Sequence, residues 1–257
     1  MKNTVGDILK KWRRQQRYSQ LQLAVELGVS SKHISFIETG RSIPSKEMIL
    51  KISTFLLMSK RETNRALYSA GFAPIYTELP VSDESLKPIF EAIERMIQNH
   101  MPYPAIVLNQ SWDVVMANDS AQSLLAGLGY SEHTNLIEAL IADNPKTSKI
   151  INWHEAVSAV LTRLKQELTM LGNPEQLLKY ENELSKCLSL STESSSIDIE
   201  QIVLSTKIQL NEKTLSFFSV IAQLGTVQDV TLSEYKVELM FPTDETTKQY
   251  YNEVRKF

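Results

Sequence analysis

The side chains best suited to binding chemistry lie on one short segment of this sequence, between Ser30 and Arg41. Ile34 and Ile37 have the spacing of the buried face of a helix, which leaves an open face of neutral and basic side chains. Lysine donates to O6 and N7 of guanine, serine donates or accepts, and a phenyl ring contacts the methyl group of thymine. The candidate DNA contacts are Gln20, Ser31, Lys32, His33, Ser35, Phe36 and Arg41.

Two short predicted helices position this face. The first runs from Gln20 to Leu27, and Gly28 ends it at a position that suits a left-handed residue. The second helix follows Ser30, which is a favourable N-cap. Two helices joined by such a tight turn form the helix-turn-helix shape, and its second helix fits the major groove of DNA. Gln20, at a helix start, and Arg41, beyond the second helix, are expected to contact phosphates.

Charge is divided unevenly along the chain. Residues 1–75 hold 13 Lys or Arg and 5 Asp or Glu, a net charge of +8, whereas the remainder holds 14 basic and 25 acidic residues, a net charge of −11. A basic head followed by an acidic body predicts that the head binds a polyanion and the body does not. A chance fluctuation is the alternative, but the basic part coincides with the helix-turn-helix pattern.

Apolar spacing predicts five helices in the head and a mixture of helices and strands in the residues that follow it. Three prolines within fifteen residues mark a linker, and an amphipathic helix is expected over residues 84–100. Strands are predicted on both sides of a helical middle, which is the pattern of an α+β fold with an antiparallel sheet. We therefore divide the chain into three parts, residues 1–72, 73–101 and 102–257.

The predicted strands fall into two groups. AIVLN and WDVVMAN are expected to pair across Gln110-Ser111. A serine-rich loop at residues 191–196 precedes the second group, which consists of EQIVLSTKIQL, TLSFFSVIAQLG and DVTLSEYKVELMFP. The first two of these form a predicted hairpin over residues 211–213, and a short helix from Thr243 follows the last.

Catalysis has little support in this sequence. The histidines at positions 33, 100, 133 and 154 show no metal-ligand spacing, and there is neither a nucleophile elbow nor a phosphate loop. We therefore expect no catalytic residue, no metal site and no resident cofactor. The one cysteine, Cys187, cannot form an internal disulfide, and no apolar run approaches the roughly 18 residues that span a bilayer. These features favour a cytoplasmic protein with no membrane partner.

The segment SQLQLAVELGVSSKHISFIETGRSIP, residues 19–44, resembles the helix-turn-helix domain of the phage repressor and Cro group, the XRE family. The resemblance covers about residues 5–70. It implies an all-α domain of five helices, base reading by the third helix and binding to DNA as a dimer. In the family, the residues that match Arg13 and Glu38 often form a structural ion pair. The matching positions are Gln20, Ala24, Gly28, Val29, Ile34, Ile37, Glu38, Gly40 and Arg41.

Residues 103–125 and 217–247 resemble the opening and the closing strands of the PAS-like ligand-binding domain of MmyB-like regulators. Asn135-Leu136, Trp153 and Arg163-Leu164 fall where that family tends to have Asn-Leu, Trp and Leu-Arg. The resemblance implies a cavity between an antiparallel sheet and its covering helices, which in some members holds a fatty acid or a similar apolar molecule. The serine-rich loop and the helices between Gly172 and Leu190 depart from the family pattern.

Several side chains suit an apolar ligand that carries an acid group. Trp112, Val114 and Met116 are expected on one face of a strand, and Arg163 or His154 is expected to meet the carboxylate. The alternatives are ordinary core packing for the apolar stripe and a surface or interface charge for Arg163. The full set of predicted ligand contacts is Trp112, Val114, Met116, His154, Arg163, Phe217, Phe218 and Leu239.

The predicted function is a one-component transcription regulator. It binds a double-stranded DNA operator as a homodimer through an all-α helix-turn-helix domain, and its α+β PAS-like domain senses a small apolar effector such as a fatty acid. Two alternatives stay open. The second domain docks a protein partner without a small ligand, which predicts an exposed apolar surface, or it only dimerises, which predicts a filled core.

Overall fold

A computed structural model describes residues 4–190, 203–225 and 227–254 of the chain. The predicted serine-rich loop at 191–196 and the first residues of EQIVLSTKIQL lie outside the described residues. The all-α head and the α+β body predicted from the sequence are both confirmed.

The described residues form two compact units. The first unit is built from the segments Met1–Leu79, Gln166–Glu175 and Val227–Val230. The second unit is built from Pro80–Lys165, Gln176–Thr226 and Thr231–Phe257.

Five helices at the start of the chain form the body of the first unit. Each begins after a Ser or Thr whose hydroxyl accepts a hydrogen bond from the N–H three residues later, which satisfies a donor that the helix leaves unpaired. Their apolar faces form one core, in which Trp12, Ile34 and Ile49 are almost fully buried. The helices are α1 (Val5–Gln15), α2 (Gln20–Leu27), α3 (Ser31–Glu38), α4 (Lys46–Phe55) and α5 (Lys60–Ser69).

Helix α1 meets the end of α3 at Gly6. A Cβ at this position would lie 2.4 Å from the carbonyl oxygen of Ile37 and 3.1 Å from the carbonyl carbon of Glu38. Glycine is therefore required here because two backbones approach each other closely. The contact fixes α3 against the first helix of the unit.

Two short segments from later in the chain belong to the same unit, and sequence patterns did not predict them. The Lys11 Nζ donates to the carbonyl oxygen of Gly172 at 2.5 Å, and the N–H of Val230 donates to the carbonyl oxygen of Thr77 at 2.7 Å. Gly172 follows helix α9 (Trp153–Leu171), which begins in the second unit and ends in the first.

The second unit combines an antiparallel sheet with helices. A 3-10 turn at Glu84–Leu86 leads into its first helix. Its other helices are α6 (Lys87–Asn99), α7 (Asp119–Leu128), α8 (Leu136–Ala142), the start of α9, α10 (Glu175–Leu190), α11 (Val230–Ser233) and α12 (Glu245–Val254). Its strands are β1 (Ala105–Leu108), β2 (Val114–Ala117), β3 (Thr206–Leu210), β4 (Lys213–Gln223) and β5 (Lys236–Pro242).

The strands form one sheet in the order β2-β1-β5-β4-β3, and all neighbours are antiparallel. The central strand, β5, is the last in the chain and pairs with both β1 and β4. The predicted hairpin between β3 and β4 is confirmed, and Asn211 takes a positive φ of 54° in its turn. Asparagine tolerates this left-handed conformation better than most residues.

Helices pack on both faces of the sheet. Ile93 and Ile97 of α6 are buried against Val107 of β1 and Val237 of β5. The opposite face, which carries Ile106 and Met240, meets α7, α8 and α9. The apolar stripe predicted over residues 84–100 is therefore covered by the sheet of its own unit.

Two strand predictions were wrong in detail. WDVVMAN begins as a turn, in which Trp112 has a φ of 70°, so β2 starts only at Val114. A β-bulge then pairs Val114 with Leu108 but Met116 with Val107. Because neighbours in a strand face opposite sides, the extra residue of the bulge places Val114 and Met116 on opposite faces. The prediction that Trp112, Val114 and Met116 share one strand face is corrected accordingly.

The start of DVTLSEYKVELMFP was also wrong. Val230–Ser233 form the short helix α11, and β5 begins at Lys236. The buried Val230 and Leu232 resembled alternate residues of a strand, and period-two apolar spacing over so few residues does not separate a strand from one helical turn.

Candidate nucleic-acid interface and ligand cavity

The candidate DNA contacts lie on and around α3, the second helix of the helix-turn-helix. The Ser30 Oγ accepts a hydrogen bond from the N–H of His33 at 3.1 Å, and Gly28 has the predicted left-handed conformation with a φ of 67°. Ile34 and Ile37 are buried, so the helix turns its other side outward. There Ser31 and Lys32 are exposed, and His33, Ser35 and Phe36 are half-buried.

The ring of Phe36 lies against two cations. The Lys32 Nζ is 5.5 Å and the Arg41 Cζ is 5.7 Å from the centre of the ring. The N–H of Arg41 donates to the carbonyl oxygen of Phe36 at 2.9 Å, which folds the loop after α3 back onto the helix. Cation–π contacts contribute about 0.5–1 kcal/mol at exposed sites. Lys32, Phe36 and Arg41 therefore form one ordered cationic patch, which we call the Phe36 patch.

A buried ion pair lies on the inner side of α3. Arg13 donates from Nε to Oε1 of Glu38 at 2.6 Å and from its second terminal nitrogen to Oε2 at 2.8 Å. The two side chains are only 8% and 2% exposed. The ion pair that the family resemblance implied is present and ties α1 to α3.

Gln20 takes part in the same network. Its Nε2 donates to Oε2 of Glu38 at 2.8 Å, an interaction that sequence spacing did not predict. Gln20 is the first residue of α2, where backbone N–H groups have no partner inside the helix. With its amide held by Glu38, the group of Gln20 best placed for a phosphate is its backbone N–H.

The carboxyl group of Glu38 is stabilised in its ionised form. Burial by itself raises the pKa, but the hydrogen bonds from Arg13 and Gln20 and the charge of Arg13 outweigh burial. The pKa of Glu38 therefore lies below its ordinary value. The network stays charged at neutral pH.

In the second unit, an apolar cavity of about 110 Å³ lies between the sheet and helices α7, α8 and α9. Its sheet side includes Ile106 and Met240, and its helix side includes Leu124, Leu140 and Val160. The cavity thus occupies the position that the family resemblance implied. Its polar lining residues are Tyr130, Thr206, Ser219 and Glu238.

One ion pair lies at the polar part of this lining. The Arg163 guanidinium donates to Oε2 of Glu238 at 2.8 Å. Its Cζ lies 4.2 Å from the ring centre of Trp112, and the Lys236 Nζ lies 4.4 Å from the same ring. Two cations and one carboxylate therefore meet around a fully buried indole.

None of the eight predicted ligand residues is part of the cavity lining, and four of them pack elsewhere on the sheet. Met116 and Leu239 pack on the other side of the sheet, with α6. Phe218 stacks on Phe241 with 5.4 Å between the ring centres. Phe217 is buried against Tyr251 of α12.

The other four are distributed in three places. Trp112 and Arg163 belong to the charged cluster beside Glu238. Val114 starts the edge strand β2. His154 lines a different cleft, at the start of α9. A role in ligand binding stays a prediction for all eight residues.

Sequence patterns missed the residues that do line the cavity. On β5 the apolar alternation of Val237 and Leu239 pointed to that side of the strand, yet the cavity is lined by Glu238 and Met240. Because both faces of the sheet are covered, an apolar residue on a strand does not indicate which face carries the cavity. A better signal is an acid in the middle of a strand, because a carboxylate enters a covered face only with a partner.

Two kinds of feature are absent from residues 4–190, 203–225 and 227–254. No three His, Cys, Asp or Glu side chains there are grouped so that they could hold a metal ion. No helix formed by those residues is long and apolar enough to cross a membrane.

Comparison with known families matches both units. A model of the MmyB-like transcription regulator ligand binding domain matches residues 89–252, more than half of the chain. A helix-turn-helix model matches residues 9–62. A search of curated proteins gives no match. The chain is a DNA-binding transcription regulator with a ligand-binding domain, and it belongs to the family of MmyB-like transcription regulators.

Proposed function

We propose that this regulator binds a DNA operator as a homodimer and that a small apolar acid, of the fatty-acid type, is its effector. Residues 1–72 read DNA, residues 73–101 connect, and residues 102–257 bind the effector. The observation that carries the ligand proposal is the apolar cavity whose one acidic lining residue, Glu238, is paired with Arg163.

The lining of the cavity favours the class of ligand. Most of its side chains are aliphatic, which suits a hydrocarbon chain. An acid group at the Glu238 side of the cavity would share the guanidinium of Arg163, and Lys236 adds a second positive charge nearby. The carboxylate of Glu238 opposes a second anion, so binding requires that the attraction of Arg163 and Lys236 outweigh this repulsion.

The size of the cavity supports a mechanism. An engineered apolar cavity of about 150 Å³ binds benzene, so 110 Å³ holds only a few carbon atoms. A longer acid must push α7, α8 or α9 away from the sheet. Helix α9 contributes Ala156 and Val160 to the cavity, and its last residues belong to the unit that carries α3. Ligand binding therefore changes DNA binding by the difference in its affinity for the closed and the opened arrangement.

A variant pair tests the cavity. Ala156→Leu places a larger side chain into it, whereas Ala159→Leu makes the same change on the same helix at a residue outside the lining. Calorimetric titration with hexanoate, octanoate and decanoate should show binding that Ala156→Leu weakens about ten- to hundredfold and Ala159→Leu leaves within a few-fold. Equal effects of the two variants, or no binding of any acid, would reject the ligand proposal.

The near-filled core also favours a second function for this unit, dimerisation or partner docking without an effector. A cavity of 110 Å³ is small for a ligand site, and Val220 of β4 is 43% exposed. Native mass spectrometry of the purified chain separates the two. A dimer that carries a co-purified acid supports the effector, and a ligand-free dimer that ignores all three acids supports the alternative.

A further inference from the structure

A second cleft in the ligand-binding unit has no part in the function proposed above. It has a volume of about 500 Å³ and lies among the end of α8, the loop after it, the start of α9 and the end of α10. Its lining shares no residue with the cavity beneath the sheet. We call it the α8–α10 cleft, and its central lining residues are Lys146, Ile151, Trp153, His154 and Cys187.

Trp153 gives this cleft a buried donor. Its side chain belongs to a residue only 3% exposed, and among the described residues its Nε1 has no hydrogen-bond partner. A buried N–H without an acceptor costs about 1–3 kcal/mol, so such groups are rare unless something supplies the acceptor. Trp153 lines the cleft, so a ligand that displaces the side chains covering this N–H is a candidate acceptor.

The lining of the cleft has one acidic and one strongly basic side chain. Asp143 is the acid, and one of its oxygens already accepts from the Tyr130 hydroxyl at 2.8 Å and from the Ser148 hydroxyl at 2.5 Å. Lys146, on the loop after α8, is exposed and is the cation of the same lining. An anionic group of a ligand would therefore pair with Lys146.

The remaining wall is apolar. Ile141, Pro145 and Ile151 contribute hydrocarbon surface, and Cys187 behaves as a small apolar residue when it is half-buried. Pockets that bind small molecules combine such a wall with a few polar groups that fix orientation.

We propose that the α8–α10 cleft is a second binding site, which takes a small amphipathic organic anion. An acceptor of the ligand bonds to the Trp153 Nε1, its apolar body lies on Ile151 and Pro145, and its negative charge lies near Lys146. The site is separate from the fatty-acid cavity and does not depend on it.

The test uses the full chain with isotope-labelled tryptophan and anilinonaphthalene sulfonate as the probe. The chain has three tryptophans, so three indole N–H signals are expected, and the variant Trp153→Phe assigns one of them. Adding the probe should move the Trp153 signal and leave the Trp12 signal in place. Probe binding that leaves the Trp153 signal unmoved would overturn the proposal.

Variants and a thiol reaction provide independent readouts. Trp153→Phe keeps a smaller aromatic ring but removes the donor, and it should weaken probe binding about tenfold. Lys146→Ala should weaken it several-fold, and Lys186→Ala, a matched exposed lysine outside the lining, should not. If Trp153→Phe fails to fold, the wild-type chain still tests the proposal. Bound probe should lower the rate at which iodoacetamide alkylates Cys187. Unchanged alkylation at saturating probe counts against the site.

The variant Ala156→Leu separates this inference from the function proposed above. It should leave the probe-induced shift of Trp153 intact, because Ala156 lines the cavity beneath the sheet and not the α8–α10 cleft. Loss of that shift in Ala156→Leu would mean that the probe occupies the cavity beneath the sheet, and the second site would be rejected. A shift that persists when octanoate does not bind at all rejects the effector proposal and keeps the second site.

Discussion

Phe36 is the residue that orders the outward cationic surface of α3, although it carries no charge. Its ring packs against both Lys32 and Arg41. This contact restricts the conformations of two long side chains that would otherwise be free to vary. The outward side of α3 was predictable from spacing, because the buried Ile34 and Ile37 define the other side of the same helix; contact of its residues with DNA stays a prediction. The hydrogen bond from Gln20 to Glu38 was not predictable, because it joins two helices.

Removing charge from the Phe36 patch should weaken DNA binding. If the side chain contacts a base, we expect Lys32→Ala or Arg41→Ala to weaken the free energy of DNA binding by about 1–3 kcal/mol. If it contacts a phosphate, we expect the slope of log affinity against log salt concentration, the salt slope, to decrease in magnitude by about 1. Fluorescence anisotropy with an operator selected from random DNA measures both. Lys60→Ala, on α5, is the matched control, and an effect as large as that of Lys32→Ala would contradict a specific role for the patch.

Removing the ring should act differently from removing a charge. In Phe36→Leu both cations remain, so the salt slope should stay unchanged. Affinity for the selected operator should fall several-fold, because two cation–π contacts of about 0.5–1 kcal/mol each are lost. The same anisotropy titration over a range of salt concentrations checks this. A salt slope that falls as it does in Lys32→Ala would show that the ring is not what orders the cations.

The ion pair of Arg13 and Glu38 should control the stability of the first unit. Glu38→Gln leaves the buried guanidinium without its counter-charge, and breaking a buried pair in this way costs about 3–5 kcal/mol. Urea unfolding at neutral pH measures the difference. Glu47→Gln, at an exposed position on α4, is the matched control and should change stability by less than about 0.5 kcal/mol.

The same pair should make stability depend on pH. The folded-state pKa of Glu38 is lowered, so its contribution is present above the unfolded value of about 4.3 and is lost as pH falls through the folded value. The stability difference between wild type and Glu38→Gln should therefore narrow below about pH 4. Urea unfolding repeated between pH 7 and pH 3 checks this, and a constant difference would mean that Glu38 does not ionise as described.

At the scale of elements, the helices and the strands differ in how far they could be predicted. Helix starts such as Ser19 and Ser30 depend on local hydrogen bonds, and they were correctly located. The bulge at Val114 depends on pairing with β1, and the position of the cavity depends on which helices cover which face. Those are non-local facts, so the fold class was predictable but the residues lining the cavity were not.

The close approach of α1 and α3 at Gly6 should tolerate no side chain. In Gly6→Ala the new Cβ meets the carbonyl oxygen of Ile37 at 2.4 Å, and forced packing of this kind costs about 1–3 kcal/mol. Thermal unfolding measures the loss. Gly225→Ala, where a Cβ would meet no atom within 4 Å, should have little effect, and equal losses for both variants would contradict the backbone contact.

The whole molecule has a basic head and an acidic body. Residues 1–75 carry a net charge of +8 and the remainder −11, so the body should repel DNA at low salt and leave binding to the head. One head contacts one major groove, and the proposed homodimer therefore needs two half-sites about 34 Å, or one helical turn, apart.

Operator geometry tests the proposed dimer. Inserting five base pairs between selected half-sites turns one of them to the opposite side of the DNA. We expect the affinity to fall at least tenfold, towards the affinity for DNA that carries a single half-site. Inserting a whole turn keeps both half-sites on one side and serves as the control. Binding that ignores both insertions would indicate that each chain binds alone.

The place of β5 in the sheet has a consequence for how the protein is made. Its residues are the last of the sheet to leave the ribosome, although β1 and β4 both pair with it. The buried core of the head is complete at Leu67, about 170 residues earlier, which at about 5–20 residues per second is roughly 10–30 s of synthesis. A nascent chain therefore carries the whole helix-turn-helix well before its sheet is assembled. A product cut short in that interval would keep the segment that matches the helix-turn-helix model but would lack the central strand of the ligand-binding unit.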